Sequence, residues 1–132
     1  MIVLDASAIV DLILDLSPHA DEIRDEVTRE APDLLTLHLV DAEVGQVLRR
    51  YVRRGEIAPA RAVDAMDDLE ALPLQRYAHL ALLKRAFALR DNATIYDALY
   101  LALAEGTGAT LLTRDAKLGH VPGHRAKVAV VG

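Results

Sequence analysis

The amino-acid sequence predicts an α/β fold, a three-layer α/β/α sandwich around a mostly parallel central sheet. Short apolar runs of the kind that form buried strands alternate along the chain with longer segments of helical periodicity. Such alternation favours strand–helix–strand units, in which neighbouring strands run parallel. Hydrophobic residues make up 52% of the 132 residues, which is enough for one ordinary core, so we expect a single domain over residues 1–132.

Five short segments are predicted to be strands, because each is apolar and lies between helical patterns. They are 2–5 (IVLD), 33–39 (DLLTLHL), the weaker 72–75 (LPLQ), 109–113 (ATLLT) and 127–131 (KVAVV). In parallel sheets of this kind, functional sites lie beyond the carboxyl ends of the strands, where the strand order reverses. Candidate functional residues should therefore follow a strand directly or lie in the first turn of the next helix.

The first two helices are predicted from periodicity and from helix-start residues. Residues 6–16 turn helical directly after the first strand, because their apolar side chains recur at the three-and-four spacing. These side chains are Ile9, Leu12, Ile13 and Leu16. A second helix is expected to begin with Ser17 as its N-cap and Pro18 at its first helical position.

Residues 41–55 form the clearest helical pattern in the chain. One apolar stripe runs along it, and Gly55 is expected to end it. The stripe consists of Val44, Val47, Leu48, Tyr51 and Val52. Further helices are predicted over 58–72, entered at Pro59, and over 78–90.

The last helix is predicted from Thr94 to Glu105, with its end at Gly106 or Gly108. Residues 95–104 are apolar on nearly every side, which is typical of a helix buried on more than one face. We therefore expect one face of this helix to pack on the sheet and another to meet a second subunit.

The absence of cysteine excludes disulfides, thiolate zinc sites and cysteine nucleophiles. It also permits a reducing compartment, and we expect a cytoplasmic protein. The start of the chain is apolar, but it has no basic segment and carries Asp5, Asp11 and Asp15, so it does not resemble a signal peptide. No uncharged apolar run reaches the ~18 residues of a membrane span.

The formal net charge of −5, from 15 basic and 20 acidic residues, argues at first sight against a nucleic-acid partner. That argument weakens if four of the acids belong to a metal site, because 16 acidic residues then remain against 15 basic ones. The rest of the surface would be nearly neutral. RNA binding is then allowed, and non-specific binding to nucleic acid is expected to be weak.

Four carboxylates lie at the predicted junctions. Asp5 closes the first strand, Asp115 follows the fourth, and Glu43 and Asp97 lie in the first turns of helices. Each of the last three can also be a helix cap or a first-turn acid, because the positive end of a helix favours a carboxylate. Asp97, for example, stands three residues after Thr94, as in a capping box. No such structural need is evident for Asp5, and four acids at four junctions together favour one shared site.

A shared site of this kind points to its cofactor. Carboxylates within ~6 Å of one another repel, and some would take up protons. A hard divalent cation removes the repulsion, and oxygen ligands without histidine or thiolate favour Mg²⁺ or Mn²⁺ over zinc. Such a site can activate a water for attack on a phosphodiester.

Three segments of the chain resemble a known family. They are IVLDASAIV at 2–10, DAEVGQVLRR at 41–50 and YDALYLALAEGTGATLLTRD at 96–115. In this order and spacing they resemble the PIN-domain ribonucleases of the VapC toxin type, over the whole chain. The resemblance implies a PIN-like fold and cleavage of RNA by acidic residues that hold Mg²⁺ or Mn²⁺. The matching acids are Asp5, Glu43, Asp97 and Asp115.

The resemblance also implies roles for other residues and for partners. Ser7 and Thr113 fall where family members often carry hydroxyls that bind or orient groups around the site. Leu118 stands where some relatives have another acid, which leaves the four acids as the expected set. Relatives form dimers and are neutralised by a VapB-type antitoxin. The expected partners are therefore an RNA substrate, a VapB-type antitoxin and a second copy of the chain, with no membrane.

Two further groups of residues keep alternative interpretations. Four arginines near the end of the 41–55 helix form either a solvated face or a patch that contacts phosphates. They are Arg49, Arg50, Arg53 and Arg54. His120 and His124 flank a predicted loop, where a surface or turn role is favoured over contact with substrate.

The main alternative function is a non-catalytic PIN-like module that binds RNA or protein. Phosphatases of the haloacid dehalogenase type need an aspartate two residues after the first one, and Ser7 occupies that position. The acidic pair of receiver domains is also missing. No zinc-binding histidine spacing, P-loop or G-x-S-x-G motif occurs, so acyl transfer and nucleotide-cofactor chemistry have no support.

Overall fold

The computed structural model of the chain describes residues 1–16, 18–29 and 32–132. Within them, five strands form one sheet in which every neighbouring pair is parallel. The strands are β1 (Ile2–Leu4), β2 (Leu34–Leu37), β3 (Leu74–Tyr77), β4 (Thr110–Thr113) and β5 (Lys127–Val130). The predicted parallel sheet is confirmed, and each strand falls on one of the five predicted segments.

The strand order β3-β2-β1-β4-β5 reverses next to β1. The chain moves outward from β1 to β2 and β3, and then crosses to β4 on the other side of β1 before it reaches β5. Because crossovers between parallel strands are right-handed, this reversal puts the helices on opposite faces of the sheet. It also opens a crevice at the carboxyl ends of β1 and β4.

Six α-helices flank the sheet in the part of the chain that the structure describes. They are α1 (Ala6–Leu14), α2 (His19–Thr28), α3 (Val40–Arg53), α4 (Pro59–Ala71), α5 (Leu83–Ala88) and α6 (Ile95–Thr107). The first four form one layer, in which α1 contacts α2, α3 and α4, and α5 and α6 pack together in the other. The predicted three-layer α/β/α architecture is thus confirmed.

The core is built mainly from Leu, Val, Ile and Ala side chains. The four residues of β2 are buried without interruption, which is typical of a central strand covered by helices on both faces. Thr36 is the polar member of that run, and its hydroxyl donates to the Leu4 carbonyl at 2.9 Å. None of the helices in the described residues is long and apolar enough to cross a membrane.

Several helix starts and strand bounds differ from the predictions. The strand predicted at 72–75 is shifted to Leu74–Tyr77, because Leu72 still caps α4 and Pro73 has no N–H for the ladder. Pro18 precedes α2 as its N-cap and is not its first helical residue. The predicted N-cap Ser17 lies outside the described residues.

The ends of α3 and α5 also differ from the predictions. α3 ends at Arg53 with Arg54 as C-cap, and Gly55 follows with a φ of 71°. Gly55 therefore comes directly after the C-cap, within one residue of the helix end predicted from the sequence. The helix predicted over 78–90 is shorter, since Leu80–Leu82 form a 3₁₀ turn before α5 begins at Leu83.

The last helix, α6, continues past Gly106 and ends at Thr107, with Gly108 as its C-cap at a φ of 71°. Residues 98–104 of α6 are at most 3% exposed, because the sheet covers one face and α5 covers another. The expected free apolar face of this helix is therefore absent from residues 98–104. Exposed apolar side chains lie instead before and within α5, at Leu80, Leu83 and Phe87.

Candidate active site

Asp5 lies at the carboxyl end of β1, at the point where the strand order reverses. It is the N-cap of α1, and its Oδ1 accepts hydrogen bonds from the Ala8 N–H at 3.0 Å and the Ser7 hydroxyl at 2.7 Å. Its Oδ2 accepts a short hydrogen bond from the Thr113 hydroxyl of β4. The expectation that this position has no structural need for an acid is wrong, because the extended backbone of Asp5 makes it a cap.

The environment of Asp5 favours its protonated form. The side chain is buried with only 7% of the residue exposed. Burial raises the pKa of Asp5, the hydrogen bonds from Thr113, Ala8 and Ser7 oppose that rise, and the negative charge of Asp97 adds to it. Burial therefore outweighs the three hydrogen bonds, and a cation placed nearby would favour the ionised form of Asp5.

Glu43 lies in the first turn of α3, as predicted, and points toward the same edge of the sheet. Its Oε1 accepts a 2.6 Å hydrogen bond from the Tyr100 hydroxyl of α6. Burial raises the pKa of Glu43, the hydrogen bond from Tyr100 lowers it, and the charges of Asp5 and Asp97 raise it further. The bond between Glu43 and Tyr100 therefore ties together helices from the two faces of the sheet.

Asp97 lies in the first turn of α6, where its N–H donates to the Thr94 hydroxyl at 3.1 Å. The capping interpretation is thus correct for Thr94, which caps α6 through its own side chain. The Asp97 carboxylate remains available for another role. Burial raises the pKa of Asp97, the negative charge of Asp115 raises it further, and the Thr94 hydroxyl lowers it.

Asp115 follows β4 and is half-buried. Its Oδ1 accepts from the Lys117 N–H at 2.9 Å and so caps the 3₁₀ turn Ala116–His120, as the capping interpretation predicts. The N–H of Asp115 donates to the Thr113 hydroxyl at 3.0 Å. Thr113 therefore connects Asp115 to Asp5, because its hydroxyl accepts from the Asp115 N–H and donates to the Asp5 carboxylate.

Mutual repulsion connects all four acids. Asp5 interacts with Asp97, Glu43 interacts with both of them, and Asp97 interacts with Asp115. Elements far apart in the sequence thus bring these carboxylates to one edge of the sheet, close enough for each to affect another. Capping accounts for the positions of Asp5 and Asp115, but it does not account for the convergence of four negative charges.

The donor set fits a hard divalent cation in its chemistry. All four side chains offer carboxylate oxygens. Burial is the main cause of the raised pKa of Asp5, Glu43 and Asp97, neighbouring negative charges add to it, and a cation would offset both effects. Within the described residues, no three acidic, histidine or cysteine side chains form a closed group of metal ligands. The four carboxylates therefore do not form a preformed ligand sphere in this structure.

A buried ion pair beside the site was not predicted from the sequence. Asp11 of α1 is 3% exposed, and its Oδ2 lies 3.0 Å from Nη1 of Arg114, the residue between Thr113 and Asp115. Burial raises the pKa of Asp11 and the charge of Arg114 opposes the rise. The Arg114 N–H also donates to the Ser7 hydroxyl at 3.2 Å.

Other residues singled out in the sequence have structural roles. Leu118 is buried in the core at 2% exposed. The ring of His124 contacts the Gly119 carbonyl at 3.0 Å and accepts from the Ala126 N–H at 3.1 Å, so it holds a turn. His120 is exposed at the end of the 3₁₀ turn.

Comparison with known proteins identifies the family. The model of the PIN domain matches residues 2–124. The chain belongs to the PIN-domain family. One PIN-domain relative, ribonuclease VapC1 of Mycobacterium tuberculosis, is 40% identical over 133 aligned positions that cover 98% of this chain and 96% of the relative. The predicted resemblance to VapC-type proteins is therefore confirmed.

Two solved structures share the PIN fold of this chain. VapBC2 of Rickettsia felis, bound to a DNA fragment from its promoter, has a TM-score of 0.72 at 17% identity and covers both chains fully. A toxin–antitoxin complex from Klebsiella pneumoniae has a TM-score of 0.69 at 18% identity and covers 98% of this chain and 97% of the other. At this level of identity, the two likenesses establish the architecture.

Proposed function

We propose that this PIN-domain protein is a Mg²⁺- or Mn²⁺-dependent endoribonuclease, the toxin of a VapBC-type toxin–antitoxin pair. One observation supports the proposal: Asp5, Glu43, Asp97 and Asp115 all lie at strand ends or helix starts beside the reversal of the sheet, and each interacts electrostatically with at least one other of the four. The relationship to a protein named ribonuclease VapC1 supports the choice of RNA as substrate. We treat residues 1–132 as one catalytic domain, which agrees with the single core cluster of the described residues.

The four acids are proposed to hold the metal ion. When bound, the ion supplies Lewis-acid chemistry at the scissile phosphate and lowers the pKa of a water for hydrolysis of the phosphodiester bond. Two hydroxyls, on Ser7 and Thr113, fix the Asp5 carboxylate in position by donating to its two oxygens. Tyr100 fixes Glu43 in the same way through its hydroxyl. These bonds hold the carboxylates in place, which favours a site arranged before substrate arrives.

The proposed protein partners are a VapB-type antitoxin and a second copy of the chain. The antitoxin is supported by the two structural neighbours, which are named as a VapBC pair and a toxin–antitoxin complex. The homodimer is supported by the exposed apolar side chains of Leu80, Leu83 and Phe87, which are 78%, 41% and 56% exposed. We expect the protein to act in the cytoplasm, where its RNA substrate is made.

Cleavage of RNA by matched variants tests this function. We expect the parent protein to cut RNA in Mg²⁺ or Mn²⁺ and to stop in excess EDTA. Asp97→Asn should lower the cleavage rate by at least about 100-fold, because it removes one charge from the site. Asp64→Asn is the control, since Asp64 is exposed on α4 and has no ion-pair partner in the described residues.

Two outcomes contradict the proposal. If a folded Asp97→Asn protein cuts RNA as fast as the parent, or if EDTA has no effect, the carboxylate-held metal is not the catalyst. If the parent binds RNA without cutting it under any divalent ion, the chain is instead a non-catalytic PIN-like module.

A further inference from the structure

A groove of ≈380 Å³ opens beside the acidic site, between α3 and the first turn of α6. Its lining includes the site residue Glu43. It also includes Ala6, which follows Asp5 in the sequence, and Tyr96, which precedes Asp97. The walls include Ala6, Glu43, Gln46, Val47, Arg50 and Tyr96. The volume lies within the range of about 300–1,000 Å³ in which proteins bind small ligands or parts of larger ones.

Tyr96 forms one wall of this groove and is exposed to an unusual degree. The chain has 4 tyrosines and 1 phenylalanine, and Tyr96 is the most exposed of them at 62%. Among the described residues, its ring contacts no cation and no other aromatic ring. A free aromatic face next to a phosphodiester-cleaving site is suited to stacking on a nucleobase, which is a sequence-tolerant source of affinity for single strands.

Positive charge continues from the groove along α3. Val47 and Arg50 follow Glu43 by four and seven positions, so these three lie on one side of α3, and the C-cap residue Arg54 comes four positions after Arg50. The helical rise places Arg50 about 10 Å along the axis from Glu43, which suits a phosphate beyond the cleaved one. In the described part of the chain, neither Arg50 nor Arg54 has an ion-pair partner.

The other two arginines of the 49–54 run have a different location. Arg49 and Arg53 line a separate, more apolar groove between α3 and α4, together with Pro59 and Met66. The run predicted as either a solvated face or a phosphate patch is therefore divided between two sides of the helix. Only the side of Arg50 and Arg54 is continuous with the acidic site.

We propose that this groove binds the stretch of single-stranded RNA next to the cleaved phosphate, with Tyr96 stacked on a base and Arg50 on a neighbouring phosphate. The proposal rests on the nuclease function proposed above and extends it to named residues that bind the RNA substrate. Gln46 offers both a donor and an acceptor to the edge of the stacked base. The guanidinium of Arg50 suits a phosphate, and the exposed ring of Tyr96 suits a base. Both lie beside the acidic site, which is the arrangement that a single-stranded RNA needs.

Binding of a short RNA tests the role of Tyr96. The probes are fluorescein-labelled oligo-A and oligo-U of roughly eight nucleotides, within the usual site sizes of single-strand binders. Anisotropy is measured in Mg²⁺ with the full chain carrying Asp97→Asn, so that cleavage does not interfere. Adding Tyr96→Ala should weaken binding by about tenfold, and adding Tyr96→Phe should change it less than about twofold, because stacking needs the ring and not the hydroxyl.

The salt dependence of the same binding tests Arg50. Loss of one phosphate contact lowers the slope of log K against log salt by about 0.7 for a single strand. We expect this reduction for Arg50→Gln. Arg49→Gln removes the same charge from the same helix on its other side, and we expect its slope to match that of the parent.

Three results overturn the proposal. The first is Tyr96→Ala binding both RNAs within about twofold of its parent. The second is an equal change of slope for Arg49→Gln and Arg50→Gln, which would indicate diffuse attraction. The third is unchanged RNA binding while Tyr96→Ala alters self-association in sedimentation velocity, which would assign the groove to a protein contact. RNA cleavage by the parent is scored separately, so a failure here leaves the nuclease test intact.

Discussion

Thr113 is the residue through which the site is held together. Its hydroxyl is fully buried, donates to Asp5 and accepts from the N–H of Asp115. Two of the four acids are thus fixed by one side chain at the end of β4. The family resemblance predicted a hydroxyl near the site at this position. In the structure, that hydroxyl holds Asp5 and Asp115 through two hydrogen bonds.

Thr113→Val should therefore reduce both stability and activity. Valine keeps the shape but leaves an oxygen of Asp5 and the N–H of Asp115 without their partner. We expect a loss of about 1–3 kcal/mol in the free energy of unfolding, measured by urea denaturation, and slower cleavage. Thr113→Ser keeps the hydroxyl and should retain most of the activity. A larger loss in Thr113→Ser than in Thr113→Val would mean that the methyl group, and not the hydroxyl with its hydrogen bonds, matters at this position.

Asp97 is a residue whose charge should oppose folding in the absence of metal. Its pKa is raised by burial and by Asp115, so the folded state holds this proton to a higher pH than the unfolded chain. Stability from this group is full below its ordinary pKa and declines as the pH rises through the raised value. At neutral pH the ionised carboxylate is therefore destabilising, and Asp5 and Glu43 act in the same direction.

Asp97→Asn should accordingly be more stable than the parent in EDTA at neutral pH and much less active. The gain in melting temperature should shrink on acidification, because the parent carboxylate is then protonated. Thermal unfolding of both proteins over a pH series measures this difference. A lower melting temperature for Asp97→Asn at neutral pH would show that the carboxylate is stabilised by contacts stronger than the repulsion.

The positions of the four acids were predictable from the sequence, and some of their neighbours were not. Each acid falls at the end of a strand or the start of a helix, which is a local pattern. Tyr100 donates to Glu43 across 57 positions of sequence, and Arg114, directly after β4, pairs with Asp11 of α1. Nothing local to Tyr100 or Asp11 distinguishes them from core and surface residues of a helix, since their partners are set by the tertiary fold.

At the scale of elements, the end of α6 gives a matched pair of substitutions. Gly106 is exposed inside the helix and has no heavy atom within 4 Å of an added Cβ, so Gly106→Ala should stabilise the protein by up to about 1 kcal/mol. Gly108 has a φ of 71°, where an L side chain is strained. Gly108→Ala should destabilise it by about 1–2 kcal/mol. Chemical denaturation of the two variants measures the difference, and equal effects would contradict this helix end.

Helix existence was easier to predict than helix bounds. The apolar stripe of α3 and the proline at the start of α4 are strong local signals, and both helices lie within a residue or so of their predicted bounds. The segment before α6 has no such signal, and its predicted helix is divided into a 3₁₀ turn and the short α5. Packing on α6 sets the bounds of α5, and that packing has no counterpart in local sequence.

At the scale of the whole molecule, the sheet brings the site together by its topology. The reversal at β1 places the ends of β1 and β4 side by side, which is why Asp5 and Thr113 meet although they lie 108 positions apart. Parallel pairing was predictable from alternating strands and helices. The predicted reason for a dimer was not correct, since residues 98–104 of α6 are covered by the chain itself.

The dimer is instead predicted to use the apolar side chains at Leu80, Leu83 and Phe87. Placing a charge in this surface by Leu83→Arg should shift the protein from dimer to monomer in sedimentation velocity, because a charge buried in an apolar contact is unfavourable. Met66→Arg is the control, since Met66 is similarly exposed at 44% but lies on α4. A parent that is already monomeric at high protein concentration would contradict this prediction.

The central claim is that four carboxylates form one divalent-metal site, and titration of Mn²⁺ by calorimetry tests it most directly. We expect the parent to bind Mn²⁺ and Asp64→Asn to bind it equally well. Asp97→Asn and Asp115→Asn should each bind at least about tenfold more weakly, as loss of a metal ligand costs no less than loss of its outer partners. Binding of Mn²⁺ to both variants as tightly as to the parent, or no binding to the parent, would contradict the account.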